Sequence, residues 1–340
     1  MNHSSEIIIA LDTMGGDLGP NAVVEGALKS SKKLPKVKFL FFGNNKKLFP
    51  LLKKKNILNI SKIIHCNQTI SNNIKPIDAL RKFKNSSMFK SVASLKNGHV
   101  NAVVSGGNTG ALMIISTVLM KTIKGINRPA IASMFPTNKF KTVMLDLGAN
   151  VDCDAKNIFD FALMGQVFSK TVLGIKKPKV GLLNIGSEIL KGNENIQLSA
   201  KKLKTQKGIN FHGFIEGNDI PTGLVDVVVT DGFTGNIALK IAEGTADLYT
   251  TFLKKSFKNN IYSKLAFLIS LPILKSLWNK VNPSKYNGAM FLGLNGIVVK
   301  SHGRSDSEGI ANAISLAYDL CINKFNERII SDIKKNIKKK

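Results

Sequence analysis

The sequence predicts an α/β fold, an α/β/α sandwich built on a mainly parallel sheet. Three observations predict it. Short apolar segments alternate with longer helical ones along almost the whole chain. Several of the short segments are continuous apolar runs, as expected of strands buried on both faces. The 28 glycines suit a chain with many tight corners between strand and helix.

In chain order, EIIIALD sets a first strand at 7–11, and a helical stretch follows near 20–33. KFLFF gives a strand at 38–42, then a helix near 45–56. KIIH gives a strand at 62–65 and leads to a helix near 76–98. AVVS, at 102–105, precedes an apolar helix near 109–123. Strands at 131–135 and 142–146 follow one another directly, and a helix near 155–174 comes next. A strand at 179–185 leads to a helix near 188–207, and further strands fall at 210–214 and 225–230. A helix near 235–258, a strand at 297–300 and a helix near 306–327 complete the pattern. Right-handed crossovers between parallel strands place helices on both faces of the sheet. No internal repeat and no linker is visible. Residues 1–330 are therefore expected to form one α/β/α domain, with a helical insertion at 249–285 and a basic, solvated tail at 331–340.

Composition narrows the function classes. Of 340 residues, 44% are hydrophobic, ample for a large core and unlike a disordered chain. The net charge is +27, which suggests an acidic partner. Only Arg81, Arg128, Arg304 and Arg328 supply guanidinium groups, however, and no Arg/aromatic interleaving is present, so nucleic acid is not expected. Cys66, Cys153 and Cys321 stand far apart, which disfavours a disulfide framework or structural zinc. The sequence enters a strand pattern at once, without a signal-peptide pattern, and no apolar run reaches the ~18–20 residues of a membrane span. A reducing, intracellular compartment is the expectation.

In open parallel sheets, ligands bind beyond the carboxyl ends of the strands. Six predicted ends carry related polar sequences: DTMGGD (12–17), SGGNTGAL (105–112), DLGANVD (146–152), NIGSEILKGNE (184–194), TDGFTGN (230–236) and KSHGRSD (300–306). One strand–turn–helix corner needs only a cap such as Asp231. The repeated set points to a ligand. It contains no Ser-His-Asp nucleophile elbow, no Cys beside a base, no GxGxxG and no GxxxxGK[ST]. What remains are amides, hydroxyls and backbone N–H groups, with Lys191, His302 and Arg304. Such groups hold an anion and stabilise an oxyanion, so they fit a reaction whose substrate brings its own nucleophile. The best cradle is SGGNTGAL, where Asn108 and Thr109 occupy the cap and first turn of a helix. No metal or cofactor is called for, since Asp12, Asp17, Asp146 and Asp231 are spread over three strand ends.

These motifs, with RPAIAS (128–133), EGNDI (216–220) and LGLNGIVVKSHGRSD (292–306), occur in an order and spacing that resembles the bacterial phosphate acyltransferase family. The resemblance runs from about Ile7 to Leu320. It implies a Rossmann-like α/β/α sandwich, related to phosphotransacetylases and the isopropylmalate dehydrogenase group, and a homodimer. The implied reaction is attack of inorganic phosphate on the thioester of a fatty acyl–acyl carrier protein. The acyl phosphate would then feed glycerol-phosphate acylation at the membrane, making a glycerol-phosphate acyltransferase a candidate partner. On this expectation Asn108, Thr109 and Gly110 cradle phosphate with Lys191 and Asn150 nearby. Asp231, Asn236 and His302 orient the thioester or its oxyanion, and Gly235 belongs to the substrate surface. Arg81 and Lys82 are candidates for contact with the acidic carrier protein. The sequence departs from the usual family pattern by small changes at Thr13 and Gly107, and at Asn218, Ser187 and Ile189, and because of the last three no general base is assigned.

From Tyr249 to Ser305 there is no Asp or Glu. Within that stretch, residues 252–281 join apolar faces to lysines, as expected of two amphipathic helices lying in a headgroup region, with Trp278 as interfacial anchor. A cytoplasmic protein held peripherally on the membrane is the expectation. A helical pair in the core or in a dimer interface is the alternative. The rival functions are a short-chain acyl-CoA phosphotransacetylase, a metal-dependent dehydrogenase of the isopropylmalate type, and a non-catalytic basic protein binding nucleic acid or lipid.

Overall fold

The structure, a computed structural model, describes residues 6–258, 261–281 and 288–337. The first half of the chain gives β1 (Ile7–Asp12), α1 (Gly19–Ser31), β2 (Val37–Gly43), α2 (Asn45–Lys54), β3 (Ser61–His65), α3 (Pro76–Lys82), α4 (Ser87–Lys96), β4 (Ala102–Ser105), α5 (Thr109–Met120) and β5 (Ala130–Pro136). The second half gives β6 (Lys141–Leu145), α6 (Ala155–Val172), β7 (Lys179–Leu183), α7 (Glu194–Thr205), β8 (Asn210–Ile215), β9 (Val227–Val229), α8 (Gly232–Ser256), α9 (Ile261–Val281), β10 (Ala289–Leu292), β11 (Ile297–Lys300), α10 (Ser307–Ile322) and α11 (Phe325–Ile337). All these strands join one sheet in the order β3-β2-β1-β4-β11-β10-β5-β6-β9-β7-β8. The expected mainly parallel α/β architecture is present.

Alternation along each strand builds two apolar layers, one on each face. Ile9, Leu11, Phe39 and Phe41 enter the larger layer, and Ala10 and Phe42 enter the other. The larger layer includes Phe168 of α6 and Phe325 of α11, whose rings meet edge to face with centroids 5.7 Å apart.

The sheet has a reversal that decides where the polar strand ends lie. β4 and β11 are parallel, β11 and β10 antiparallel, β10 and β5 antiparallel, and β5 and β6 antiparallel. β6, β9, β7 and β8 then run parallel to one another. Three reversals leave this group antiparallel to β1, β2, β3 and β4. The carboxyl ends of β1, β4 and β11 therefore lie at one edge of the sheet, and those of β6, β7 and β9 at the opposite edge.

Several boundaries differ from expectation. The stretch 76–98 is two helices, because α3 stops at Phe83 and Ser86 caps α4 by accepting from the Phe89 N–H at 3.2 Å. The segment before α7 is a loop rather than helix. Gly192 has φ +90°, and Asn193 starts α7 by accepting from the Ile196 N–H at 3.0 Å. β10 has only four residues and has no counterpart among the predicted strands. The basic end is not a free tail from 331: α11 continues to Ile337 because Ile329 and Ile333 are buried against the core. Residues 338–340 lie outside the described residues.

The expected insertion falls on the last turns of α8 and on α9. α8 spans 25 residues, about 37 Å at 1.5 Å per residue, and α9 spans 21 residues with Pro272 inside it. Among the described residues no helix is long and apolar enough to cross a membrane. The side chain of Trp278 lies outside the described residues.

Candidate active site

At the first edge, the loops after β1, β4 and β11 close on one another. The buried Asp12 carboxylate accepts from the hydroxyls of Ser87 and Ser105, both at 2.6 Å. Ser105 Oγ in turn accepts from the Gly107 N–H at 3.2 Å. Glycines make the closure possible: a Cβ on Gly15 would fall 2.8 Å from the Gly107 backbone and 2.5 Å from Asp12 Oδ2. Lys300, at the end of β11, donates through Nζ to the carbonyls of Gly106 and Ser301. Burial pushes Lys300 down to about 8, against the opposing pull of Asp12 and Asp17. Burial likewise pushes Asp12 up, with the Ser105 and Ser87 hydrogen bonds opposing it.

Asn108 caps α5, accepting from the Ala111 N–H at 3.0 Å. Its amide donates to the carbonyls of Asn72 and Ile74 at 3.0 and 3.2 Å, and to Ser71 O at 3.4 Å. The side chain therefore ties the 71–74 loop to α5 and has little left to offer a ligand. Gly110 lacks a Cβ because one would meet Pro76 Cγ at 2.8 Å. Thr109 is exposed beside it. His302 is exposed and accepts from the Arg304 N–H through Nδ1 at 3.2 Å. Arg81 is exposed at the end of α3.

At the second edge the framework is equally specific, and functional groups are left over there, as the exposed Arg304 guanidinium is at the first. The Asp146 carboxylate accepts from the N–H groups of Ile131, Ala149 and Asn150 at 2.9, 3.1 and 2.8 Å. Burial pushes its pKa up against these bonds. Asn150 is engaged: its amide donates to Pro129 O at 2.8 Å and to Asp146 at 2.9 Å. Asp231 caps α8, accepting from Thr234 N–H and Oγ1 at 2.8 and 2.9 Å. Gly235 is a packing residue, since a Cβ there would lie 1.9 Å from Asp146 O. Cys153, half-buried near Asp146, is pushed up to about 12 by burial, so its thiol is no ready nucleophile.

Two predicted groups stand apart from this framework. Asn236, one turn into α8, lies over the 146–150 loop: a Cβ on Gly148 would meet Asn236 Cβ at 3.5 Å. Among the described residues its amide has no hydrogen-bond partner. Lys191 is exposed, and its ammonium makes no ion pair among the described residues. The loop that carries Lys191 is held from inside, where the Asn184 amide donates to the carbonyls of Gly186 and Lys191, both at 3.1 Å.

The predicted set is thus divided. Asn108, Thr109, Gly110 and His302 stand at the first edge, with Arg81 on α3, which packs against α5. Asn150, Lys191, Asp231, Gly235 and Asn236 stand at the second. The strand ends that carry the two groups lie at opposite edges of the sheet. The roles of Asp12, Asp146, Asn184 and Lys300 were not assigned from sequence, although each sits inside a polar strand end, where that position was the available signal. Ser87, 75 residues from its partner Asp12, carries no such signal. Among the described residues no group of three His, Cys, Asp or Glu side chains gathers as a metal ion would require.

Comparison with known proteins adds an independent line. A family model described as "Fatty acid synthesis protein" matches residues 7–328. The chain is 48% identical over 328 residues to a phosphate acyltransferase of Paramagnetospirillum magneticum, covering 96% of this chain and 93% of that protein. It is 50% identical over 332 residues to a phosphate acyltransferase of Rhodospirillum centenum, covering 97% and 94%. Among solved structures it resembles a phosphotransacetylase from Streptococcus pyogenes, with TM-score 0.64, 18% identity and coverage of 94% and 95%. It also resembles the EutD phosphotransacetylase from Staphylococcus aureus, with TM-score 0.59, 16% identity and coverage of 93% and 94%. At that identity the two structures speak to the fold alone.

Proposed function

The chain belongs to the fatty acid synthesis protein family and is a phosphate acyltransferase, and we propose that it moves a fatty acyl group from acyl carrier protein to inorganic phosphate at the second edge. The observation that supports this placement is that, among the described residues, the Lys191 ammonium makes no ion pair and the Asn236 amide no hydrogen bond, on a framework in which Asp146, Asn150 and Asp231 are already bonded.

Phosphate is an anionic nucleophile and a thiolate a tolerable leaving group, so no activated Ser or Cys is needed. A phosphate oxygen attacks the thioester carbonyl and forms the new C–O bond. The C–S bond then breaks, the electron pair leaves on sulfur, and the thiolate takes up a proton. Lys191 neutralises phosphate and the developing negative charge, and the Asn236 amide donates to the oxyanion. One such donor is worth about 10²–10³ in rate. Asn150, Asp231 and Gly235 shape the site through the bonds and contacts described. The short-chain rival is disfavoured by the identity of the relatives and by the exposed apolar surface around this edge.

The Thr109 and Gly110 N–H groups, His302 and Arg81 are proposed to act on the acidic carrier protein from the first edge. Pairing of two copies in a homodimer would let both edges serve one substrate. α8 presents an exposed stripe of Phe233, Ile237, Ile241, Leu248 and Phe252, and α9 exposes Ile261, Leu265, Leu268, Ile269 and Ile273. With no acidic residue between Tyr249 and Ser305, this arm suits the surface of an anionic membrane in the cytoplasm, where acyl phosphate could pass to a glycerol-phosphate acyltransferase. Replacing Leu268 and Leu271 with Asp should release the protein from anionic liposomes; unchanged co-sedimentation would contradict the membrane reading. The reaction itself is tested by mixing protein, long-chain acyl–acyl carrier protein and phosphate, and trapping acyl phosphate with hydroxylamine. Phosphate-dependent product is expected, and acceptance of acetyl-CoA in its place would favour the short-chain rival.

A further inference from the structure

The loop between β7 and α7 is built inside out. Its backbone is fastened by polar side chains: Asn184 as described, and Gln197, whose amide donates to the carbonyls of Leu190 and Gly192 at 3.0 and 3.3 Å. A Cβ on Gly192 would fall 2.3 Å from Asn184 Oδ1, so the loop is closed tightly over that side chain. Its large apolar side chains all point away. Ile185 is 80% exposed, Ile189 78% and Leu190 88%. Single exposed aliphatics are ordinary, but three on one ordered loop make an apolar patch that folding does not use.

The position of this patch limits what can cover it. β7 and β9 are neighbours in register, so the loop after β7 and the first turn of α8 rise side by side from the same edge. Phe233, the second residue of α8, is 59% exposed. Lys191 directly follows Leu190, and Asn236 stands three residues beyond Phe233. A cation and an amide with no hydrogen-bond partner among the described residues thus stand near the apolar side chains, and the Glu188 carboxylate lies on the same loop, where a Cβ on Gly186 would meet Glu188 Oε2 at 2.5 Å and Lys191 Cγ at 3.2 Å. That is complementary to a ligand with a polar, anion-bearing head at the reacting carbonyl and a long hydrocarbon tail.

We infer that Ile185, Ile189 and Leu190, with Phe233 beside them, form the wall that receives the fatty chain and sets the enzyme's chain-length preference. The inference rests on placing acyl transfer at the second edge. Each methylene that leaves water for the wall strengthens binding of the long-chain donor and leaves a short one unaffected.

The test compares kcat/KM for hexadecanoyl– and butanoyl–acyl carrier protein in wild type, Ile185→Gln and Ile189→Gln/Leu190→Gln. Light scattering gives the oligomeric mass and thermal unfolding checks the fold. The expected result for the double variant is at least a tenfold loss with the hexadecanoyl donor and less than a twofold change with the butanoyl donor. Mass and Tm should be unaltered, and Ile185→Gln should give a smaller loss of the same selectivity. Equal losses with both donors, or none with either, would overturn the inference while leaving the reaction intact. A fall in oligomeric mass would assign the patch to an interface between copies and overturn it too. Wild type that makes no acyl phosphate from either donor would remove the proposed reaction, and this inference with it.

Discussion

The two edges of the sheet use the same residue types to different ends. At the first edge, Asp12, Asn108 and Lys300 bond to hydroxyls, N–H groups and carbonyls of neighbouring loops, so the polar strand ends mostly hold one another. At the second edge, Asp146, Asn150 and Asp231 do the same work, but among the described residues the Asn236 amide has no hydrogen-bond partner and the Lys191 ammonium no ion pair, near exposed apolar side chains. Gly, Asn and Asp at a strand end therefore signal a demanding corner, and a site only where a donor is left over.

The largest contrast should come from substitutions that separate catalysis from stability. Asn236→Ala is expected to lower kcat/KM about 10²–10³-fold while changing Tm little, read by acyl-phosphate trapping and thermal unfolding. Asp12→Ala should do the opposite. It strands the Ser87 and Ser105 hydroxyls and removes the counter-charge near Lys300, for a loss of about 2–4 kcal/mol in denaturant unfolding.

A smaller effect sharpens the comparison further. Asn108→Ala removes a helix cap and the donor that holds the 71–74 loop, together worth about 2 kcal/mol. Its KM for phosphate should stay near the wild-type value, whereas Lys191→Ala should raise it. The reverse pattern would move phosphate to the start of α5.

The comparison also predicts a pH dependence. Lys300 titrates near 8 in the folded protein, below the ordinary 10.5 of the unfolded chain. Below pH 8 both states carry the proton and the burial penalty is fully present. Between about 8 and 10.5 the unfolded chain binds the proton more, so stability from this group rises with pH. Wild type should therefore gain stability relative to Lys300→Met between pH 7.5 and 10. A flat difference would mean that Lys300 is not held in a buried setting.

Most strands were legible because Val, Ile and Phe runs such as 39–42 and 227–229 can only be buried. The polar ends were legible for the same reason, as interruptions of those runs. Their partition between two edges was not. It depends on β10, a four-residue AMFL segment that follows the α8–α9 arm and pairs antiparallel with both β11 and β5. Nothing local to 289–292 records a reversal of the sheet. The role of Asn108 was hidden likewise: a cap and a phosphate ligand have the same sequence, and only the carbonyls of 72 and 74 decide between them. The outer part of the arm, from Tyr249 on, was visible as a stretch without acidic charge, because the pattern there is compositional.

The most direct test of the central claim is hydroxylamine-trapped acyl phosphate formation by Lys191→Ala and Asn108→Ala beside wild type, each rate divided by the fraction folded. Transfer at the second edge predicts at least a hundredfold loss for Lys191→Ala and a change of no more than a few-fold for Asn108→Ala. A Lys191→Ala enzyme near wild-type rate, with Asn108→Ala inactive while folded, would place the chemistry at the first edge and contradict the account.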